Sequence, residues 1–107
     1  MFTRIVECHV TPEKREDLTN KLRNDVLPVL QKQPGFVDLI GLTSETEPER
    51  VLSVSFWNTK EDAERYHREH YNRIVDMLRP MLKRDPQINN YTVDTSTTHR
   101  IAVSRAA

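Results

Sequence analysis

The sequence of 107 residues predicts an α+β domain with the element order β-α-β-β-α-β. Two stretches carry apolar residues at the three- and four-residue spacing of an amphipathic helix. Four shorter stretches are rich in β-branched and aromatic residues, which favours strands. A weak internal repeat supports this order, because Pro28 precedes Pro34 by the same interval that separates Pro80 from Pro86.

The first strand is predicted over residues 2–10, and the first helix from Thr11 to about Gln33. Thr11 can cap the helix with its hydroxyl, and Pro12 suits the first helical position. Apolar residues that recur every four positions define the buried face of this helix, namely Leu18, Leu22, Val26 and Leu30. We expect Pro28 to kink the helix, because proline removes one backbone hydrogen bond.

The next two strands are predicted over residues 36–44 and 50–57 as an antiparallel hairpin that follows the Pro34-Gly35 turn. Alternate residues of a strand face opposite sides of the sheet. One side of the second of these strands therefore carries Leu52, Val54 and Phe56, and the other side carries Ser53, Ser55 and Trp57.

The second helix is predicted to begin after Thr59 and to be interrupted near its end by Pro80. At about 100° per residue, one face collects Ala63, His67, His70, Ile74, Met77, Leu78 and Met81. Tyr66 and Tyr71 flank that face on opposite sides.

The last strand is predicted from Ile88 to Thr95, which completes a domain over residues 1–95. Residues 96–107 show no clear periodicity and are predicted to form a C-terminal arm. The arm either packs on a partner protomer or frays, as chain ends commonly do.

This order corresponds to the split βαβ, ferredoxin-like arrangement. Both helices would cover one face of an antiparallel sheet, and the exposed face would carry apolar or small residues. A second copy of the sheet covering that face would form a dimeric α+β barrel. The 36% hydrophobic content is low for a small domain, so we expect a homodimer that shares core between protomers.

Charge and composition exclude several classes of function. Lys and Arg number 16 and Asp and Glu number 16, so there is no basic excess with which to hold a nucleic acid. We expect no membrane span, because no apolar run approaches roughly 18 residues, and no secretory signal is visible at the N-terminus. The single cysteine, Cys8, excludes an intrachain disulfide and fits a reducing, cytoplasmic environment.

Three segments together resemble the antibiotic biosynthesis monooxygenase family of dimeric α+β barrels. They are the turn Pro34-Gly35-Phe36, the strand end Phe56-Trp57, and residues 59–67, Thr-Lys-Glu-Asp-Ala-Glu-Arg-Tyr-His. The resemblance covers about residues 2–95 and implies a homodimer with a pocket between helices and sheet in each protomer. Some members of the family oxygenate polyphenolic compounds with molecular oxygen and without metal or flavin. Others degrade haem, and others have no assigned activity.

The haem-degrading branch of that family uses an asparagine on the first strand, a tryptophan in the second helix and a histidine about ten residues later. This chain has Glu7 or Cys8 at the first position, Tyr66 at the second and a residue near Asp76 at the third. None of them matches, so haem degradation by that mechanism is not expected.

His67 and His70 are the most informative pair of polar residues, because a spacing of three makes them neighbours on a helix. Three interpretations remain open. They are structural histidines that are partly buried, or pocket bases that take a phenolic proton near neutral pH, or metal ligands. The pair lacks a third ligand on the same element, which makes it incomplete for zinc or iron.

The leading prediction is a cofactor-independent monooxygenase that oxidises a small aromatic or quinol-like compound. His67 and His70 would handle protons, and the substrate-binding residues would be Phe56, Trp57, Tyr66 and Tyr71. No metal or cofactor is expected. The alternative is a non-catalytic dimer on the same scaffold that binds a small ligand or serves in a stress response, because one fold hosts many functions.

Overall fold

A computed structural model of the protein describes residues 1–101 and contains four strands. They are β1 (Phe2–His9), β2 (Phe36–Thr43), β3 (Arg50–Trp57) and β4 (Gln87–Thr92). They form one sheet in the order β2-β3-β1-β4, and every neighbouring pair is antiparallel. The predicted ferredoxin-like α+β fold is therefore confirmed, with β1 and β3 at the centre.

Two composite helices connect the strands and pack on one face of the sheet. Helix α1 covers residues 12–31, as a 3₁₀ turn Pro12–Lys14, an α-helical segment Arg15–Lys21, a π-helical turn Leu22–Val26 and an α-helical segment Leu27–Gln31. Helix α2 covers residues 60–81, as Lys60–Tyr66, a π-helical turn His67–Tyr71, Asn72–Leu78 and a 3₁₀ turn Arg79–Met81. The Thr59 hydroxyl caps α2 by accepting a hydrogen bond from the backbone N–H of Asp62.

The prolines alter the helices at the predicted places. The π-helical turn Leu22–Val26 comes immediately before the segment that contains Pro28, and Pro80 lies in the 3₁₀ turn at the end of α2. Both positions follow from the missing proline N–H, which cannot join the regular α-helical hydrogen-bond ladder.

The last strand ends three residues earlier than its predicted limit at Thr95. In the pairing of β4 with β1, Thr92 lies opposite Phe2, the first residue of β1. One further backbone hydrogen bond follows, from Val93 N to the Met1 carbonyl oxygen at 2.9 Å, outside the paired strand residues.

The core lies between the helices and the sheet and is centred on Trp57, whose side chain is fully buried. The indole Nε1 donates a hydrogen bond of 3.0 Å to Ser55 Oγ. The ring centroids of Phe36 and Tyr66 lie 5.5 Å and 5.4 Å from that of Trp57. Fully buried Leu18 and Val10 extend the core.

The face of the sheet that points away from the helices carries a group of apolar residues, as predicted, but the same register also places Asp38, Asn89 and Gln87 on it. We call it the open face; it carries Ile5, Ile40, Leu42, Leu52, Val54, Phe56 and Tyr91. Ile40, Leu42 and Tyr91 are 42%, 46% and 52% exposed. One end of the face differs from the prediction, because Glu7 binds both Arg50 and His9 there.

Part of the predicted C-terminal arm lies against this open face. The His99 ring lies 5.4 Å from the Phe56 ring, and His99 Nε2 is 3.3 Å from Asp38 Oδ2. The rest of the arm, residues 102–107, falls outside the described residues. Within residues 1–101, no helix combines the length and the apolar character needed to cross a membrane.

Candidate functional site

A cavity of about 60 Å³ lies between the helices and the sheet. Aliphatic side chains from both helices form most of its wall, including Leu18, Leu22, Val26, Ile74, Val75 and Leu78. Val6, Cys8 and Ser53 contribute from the helix-facing side of the sheet. The cavity is therefore predominantly apolar, as binding sites for small organic molecules usually are.

The cavity volume limits what it can hold without rearrangement. It exceeds the roughly 30 Å³ that one water molecule occupies in the liquid and is well below the roughly 300 Å³ of a typical ligand pocket. An aromatic molecule therefore needs more room than the cavity has in this structure. The π-helical turns of both helices supply lining residues, namely Leu22 and Val26 in α1 and Tyr71 in α2.

Arg4 on β1 is the charged residue that lines this cavity, and only 7% of it is exposed. Its Nε donates a hydrogen bond of 2.8 Å to Asn90 Oδ1. Its Nη1 lies 3.4 Å from the Ala63 carbonyl oxygen and 3.5 Å from His67 Nδ1. The guanidinium carbon lies 5.4 Å from the centroid of the Phe2 ring. Three elements, β4, α2 and β1, thus hold the guanidinium in place.

Arg4 was not among the site residues predicted from the sequence. Its signal was present, because strand alternation places it on the same side of β1 as Phe2, Val6 and Cys8. A charged residue at an inward-facing position of a central strand is an exception to the pattern, since Arg is rarely buried unless it is paired.

His67 contacts two residues of the cavity wall, Arg4 and Tyr71, and is partly exposed. Partial burial and the positive charge of Arg4 lower its pKa below 6.5, while the nearby Glu64 carboxylate opposes that shift. Since Arg4 can only donate, Nδ1 of His67 accepts, and the proton of the neutral ring is on Nε2. The imidazole is therefore a neutral proton acceptor near neutral pH.

The two histidines contact different tyrosines. The His67 ring stacks on Tyr71 with a centroid distance of 4.4 Å, and the His70 ring stacks on Tyr66 at 6.0 Å. His70 Nδ1 lies 3.0 Å from an Arg73 guanidinium nitrogen.

Neither imidazole lines the cavity. The π-helical turn His67–Tyr71 contributes to the placement of His70, because an extra residue per turn rotates the helix face beyond His67 relative to the regular period. Tyr66 and Tyr71 take the inward positions of this part of α2 instead.

The four predicted substrate-binding residues separate into two groups. Tyr66 and Tyr71 line the cavity, and burial raises the pKa of each hydroxyl to about 12, so both are protonated and can donate hydrogen bonds. Trp57 lies in the core against Tyr66 and does not line the cavity. Phe56 must face the opposite side of the sheet, because its neighbour Trp57 faces the helices.

Cys8 also lines the cavity, and burial raises the pKa of its thiol to about 11. The thiol is therefore protonated near neutral pH and behaves as a small core residue, since the thiolate is the reactive form.

Comparison with known proteins identifies the family. The model of the antibiotic biosynthesis monooxygenase family matches residues 1–76. The chain belongs to this family. The resemblance predicted from its three short segments is thereby confirmed, and family membership agrees with the β-α-β-β-α-β fold. A search of curated proteins gave no match.

Solved structures share the family fold at low sequence identity. A conserved protein from Methanosarcina mazei is 24% identical, with a TM-score of 0.72, over 85% of this chain and 91% of that chain. A monooxygenase from Streptomyces coelicolor in complex with nanaomycin D is 16% identical, with a TM-score of 0.77, over 92% of each chain. SnoaB, a cofactor-independent oxygenase from Streptomyces nogalater, is 15% identical, with a TM-score of 0.71, over 92% of this chain and 97% of that chain.

Proposed function

We propose that this member of the antibiotic biosynthesis monooxygenase family is a cofactor-independent oxygenase of a small aromatic or quinol-like compound. The observation that carries the proposal is the imidazole of His67 with a lowered pKa, in contact with Arg4 and Tyr71 in the wall of an apolar cavity. The names of two structural neighbours support it, since one is a cofactor-independent oxygenase and the other is a monooxygenase bound to nanaomycin D.

The proposed reaction needs a base, a dry cavity and hydrogen-bond donors. His67 takes the phenolic proton on Nδ1, its unprotonated nitrogen, once the 3.5 Å contact of that atom with Arg4 Nη1 opens. The phenolate passes one electron to molecular oxygen, and the two radicals recombine to a peroxide. Tyr66 and Tyr71 donate hydrogen bonds from the cavity wall, and the aliphatic walls exclude water from the intermediates. His70, which stacks on Tyr66, is the second proton-handling residue of the proposal.

The proposed assembly is a homodimer in which two open faces cover each other. Exposed Ile40, Leu42 and Tyr91 support it, because contiguous apolar surface on a soluble domain marks an interaction site. We also propose a cytoplasmic location, since a buried thiol with no second cysteine fits a reducing compartment.

One observation favours the alternative of a non-catalytic ligand-binding dimer: neither His67 nor His70 lines the cavity. A binding module needs only the apolar cavity and its donors, whereas an oxygenase needs a base that reaches the substrate. The two functions therefore differ in whether oxygen is consumed.

Oxygen uptake with a panel of hydroquinones and naphthohydroquinones separates these functions. We expect turnover by the wild type, and a loss of about 10²- to 10⁴-fold in kcat for His67→Ala, the usual contribution of a general base. His70→Ala tests the second histidine. His9→Ala is the matched control, because this histidine lies on the other side of the sheet, bound to Glu7.

Wild-type turnover in both His67→Ala and His70→Ala would remove the catalytic assignment. If the wild type binds the quinols in calorimetry but consumes no oxygen with any of them, the protein is the non-catalytic alternative.

A further inference from the structure

We propose that the cavity binds a small apolar organic anion and that Arg4 recognises its anionic oxygen, a carboxylate or a phenolate. This inference rests on the proposed function, because it takes the same cavity as the ligand site and adds the charge of the ligand. It assigns a specificity-determining role to Arg4, whose part in the proposed proton transfer is limited to keeping His67 neutral.

Arg4 is a buried charge, and it has no counter-ion among residues 1–101. Only 7% of Arg4 is exposed, so more than nine-tenths of the residue is buried. Ten ion pairs occur among residues 1–101, and none of them includes Arg4. The acidic residue that acts electrostatically on Arg4 is Glu64, an exposed residue of α2. Burial of an unpaired charge is unfavourable, so an anionic ligand would supply the partner that the described residues do not.

The guanidinium of Arg4 uses only some of its hydrogen-bond donors within residues 1–101. Nε and Nη1 are engaged by Asn90, Ala63 and His67, whereas Nη2 donates to none of the residues 1–101. In this part of the chain every fully buried side-chain nitrogen has a hydrogen-bond partner. Nη2 is therefore accessible, and it belongs to a residue that lines the cavity. Nη2 thus keeps a donor for a ligand oxygen, while the contacts of Nε and Nη1 hold the group in position.

The groups around the Arg4 guanidinium are mostly apolar. The Phe2 ring lies against the guanidinium, and the remaining cavity wall is mostly aliphatic. Tyr66 and Tyr71 keep their protons, so the cavity presents no phenolate to repel an anion. A ligand that matches these groups has one anionic oxygen and an otherwise apolar body.

The test uses benzoate and benzamide, two probes of nearly equal size that differ in charge. Binding to the purified full-length protein is measured by calorimetry for the wild type, Arg4→Lys, Arg4→Met and the control Arg68→Met. Arg68 is an exposed residue of the same helix that carries His67, and its variant removes the same charge.

We expect the wild type to bind benzoate at least about tenfold more tightly than benzamide, the lower limit for a hydrogen bond to a charged group. Arg4→Met should remove this preference and leave benzamide binding unchanged. Arg4→Lys should retain part of it, because lysine keeps the charge but loses the planar fork. Arg68→Met should behave as the wild type does.

Equal binding of the two probes by the wild type, an equal loss of both in Arg4→Met, or binding of neither probe would each overturn the proposal. Should Arg4→Met fail to fold, the Nε–H resonance of Arg4 in the wild type gives a second measurement. It should shift with benzoate and remain in place with benzamide; the same response to both probes counts against the assignment.

These readouts do not depend on turnover, so the two proposals can fail separately. A preference for benzoate that depends on Arg4, in a protein that consumes no oxygen, would refute the oxygenase and leave the anion site. Oxygen uptake with no such preference would refute the anion site alone.

Discussion

Nη1 of Arg4 on the sheet lies 3.5 Å from Nδ1 of His67 on α2, although the two residues are 63 positions apart in the chain. The positive charge of Arg4 and the partial burial of the ring both lower the pKa of His67. The Glu64 carboxylate raises this pKa, but its effect is smaller than either of the other two. This contact therefore links the one buried cation among the described cavity-lining residues to the proposed base.

Removal of the Arg4 charge should raise the pKa of His67. In Arg4→Met, the nearby cation is gone while the ring stays partly buried, so the pKa moves toward its ordinary value of 6.5. NMR titration of the His67 ring protons measures the change. Arg68→Met, which removes an exposed charge, should leave the pKa at its wild-type value. A wild-type pKa at or above 6.5 would contradict the electrostatic role of Arg4.

The lowered pKa of His67 also predicts a pH dependence of stability. Between the folded-state pKa and 6.5, the unfolded chain binds more protons at His67 than the native protein does. The free energy of unfolding should therefore decrease as the pH falls through about 6.5 toward the folded-state pKa.

Urea unfolding at a series of pH values checks this dependence, with His67→Gln as the control that cannot titrate. The difference in the free energy of unfolding between the wild type and His67→Gln should change only between pH 6.5 and the folded-state pKa of His67. The Glu7 and Glu49 carboxylates, whose pKa values are lowered by Arg50 and Lys83, contribute at lower pH, below 4.5. If this difference in the free energy of unfolding is constant from pH 7 down to about 5, His67 titrates alike in the folded and unfolded states.

A buried hydroxyl connects the core tryptophan to the strand that carries Arg4. Ser55 Oγ accepts from Trp57 Nε1 at 3.0 Å and donates to the Arg4 carbonyl oxygen at 3.3 Å. Ser55→Ala leaves the indole N–H without a partner in the core, and we expect a loss of about 1–3 kcal/mol in the free energy of unfolding.

Denaturant unfolding of a double-mutant cycle tests this interpretation. In a Trp57→Phe background, Ser55→Ala should cost clearly less, because no indole N–H remains to satisfy. Ser53→Ala is the matched control on the same strand face. An equal cost of Ser55→Ala in both backgrounds would show that the hydroxyl acts through something other than Trp57.

The sequence predicted the strands better than it predicted the polar part of the site. The limits of β3 agree because its alternation is unbroken from Arg50 to Trp57. Tyr66 and Tyr71, predicted to flank the buried face of the helix, line the cavity in the structure. The helical period placed His67 and His70 on the buried face, but it assumes a regular α-helix, and the π-helical turn His67–Tyr71 breaks that assumption beyond His67.

The role of Arg4 depends on contacts that no local pattern contains. Its partners Ala63, His67 and Asn90 lie 59, 63 and 86 positions away in the chain. Local periodicity assigns a residue to a face of its own element, but it does not show which residues of other elements will meet it. A charged residue at an inward position of β1 was the visible sign, and only the assembled fold shows what it binds.

Enlargement of the cavity should favour larger ligands at a cost in stability. Leu22→Ala removes a side chain from the cavity wall, and leucine truncations in cores typically cost about 2–5 kcal/mol. Leu22 is half-buried, so we expect a value near the lower limit.

The measurement compares the Kd of naphthohydroquinone with that of hydroquinone in Leu22→Ala and in the wild type, and the larger compound should gain in the variant. Leu27→Ala is the matched control, because Leu27 lies on the same helix and does not line the cavity. No change in the ratio of the two Kd values for Leu22→Ala would place quinol binding elsewhere on the protein.

A charge on the open face should dissociate the proposed homodimer. Leu42 is 46% exposed and pairs with Leu52 across the ladder between β2 and β3. In a dimer of stacked sheets, Leu42→Asp would bury a carboxylate against an apolar surface, which is strongly unfavourable. Arg50, two residues from Leu52 on the same face of β3, already pairs with Glu7. Sedimentation should give twice the chain mass of 12.6 kDa for the wild type and the chain mass for Leu42→Asp. Gln31→Asp, an exposed change at the end of α1, should remain dimeric. A wild-type protein that sediments as a stable monomer at micromolar concentration would rule out the dimeric barrel, and the apolar open face would then need a different partner.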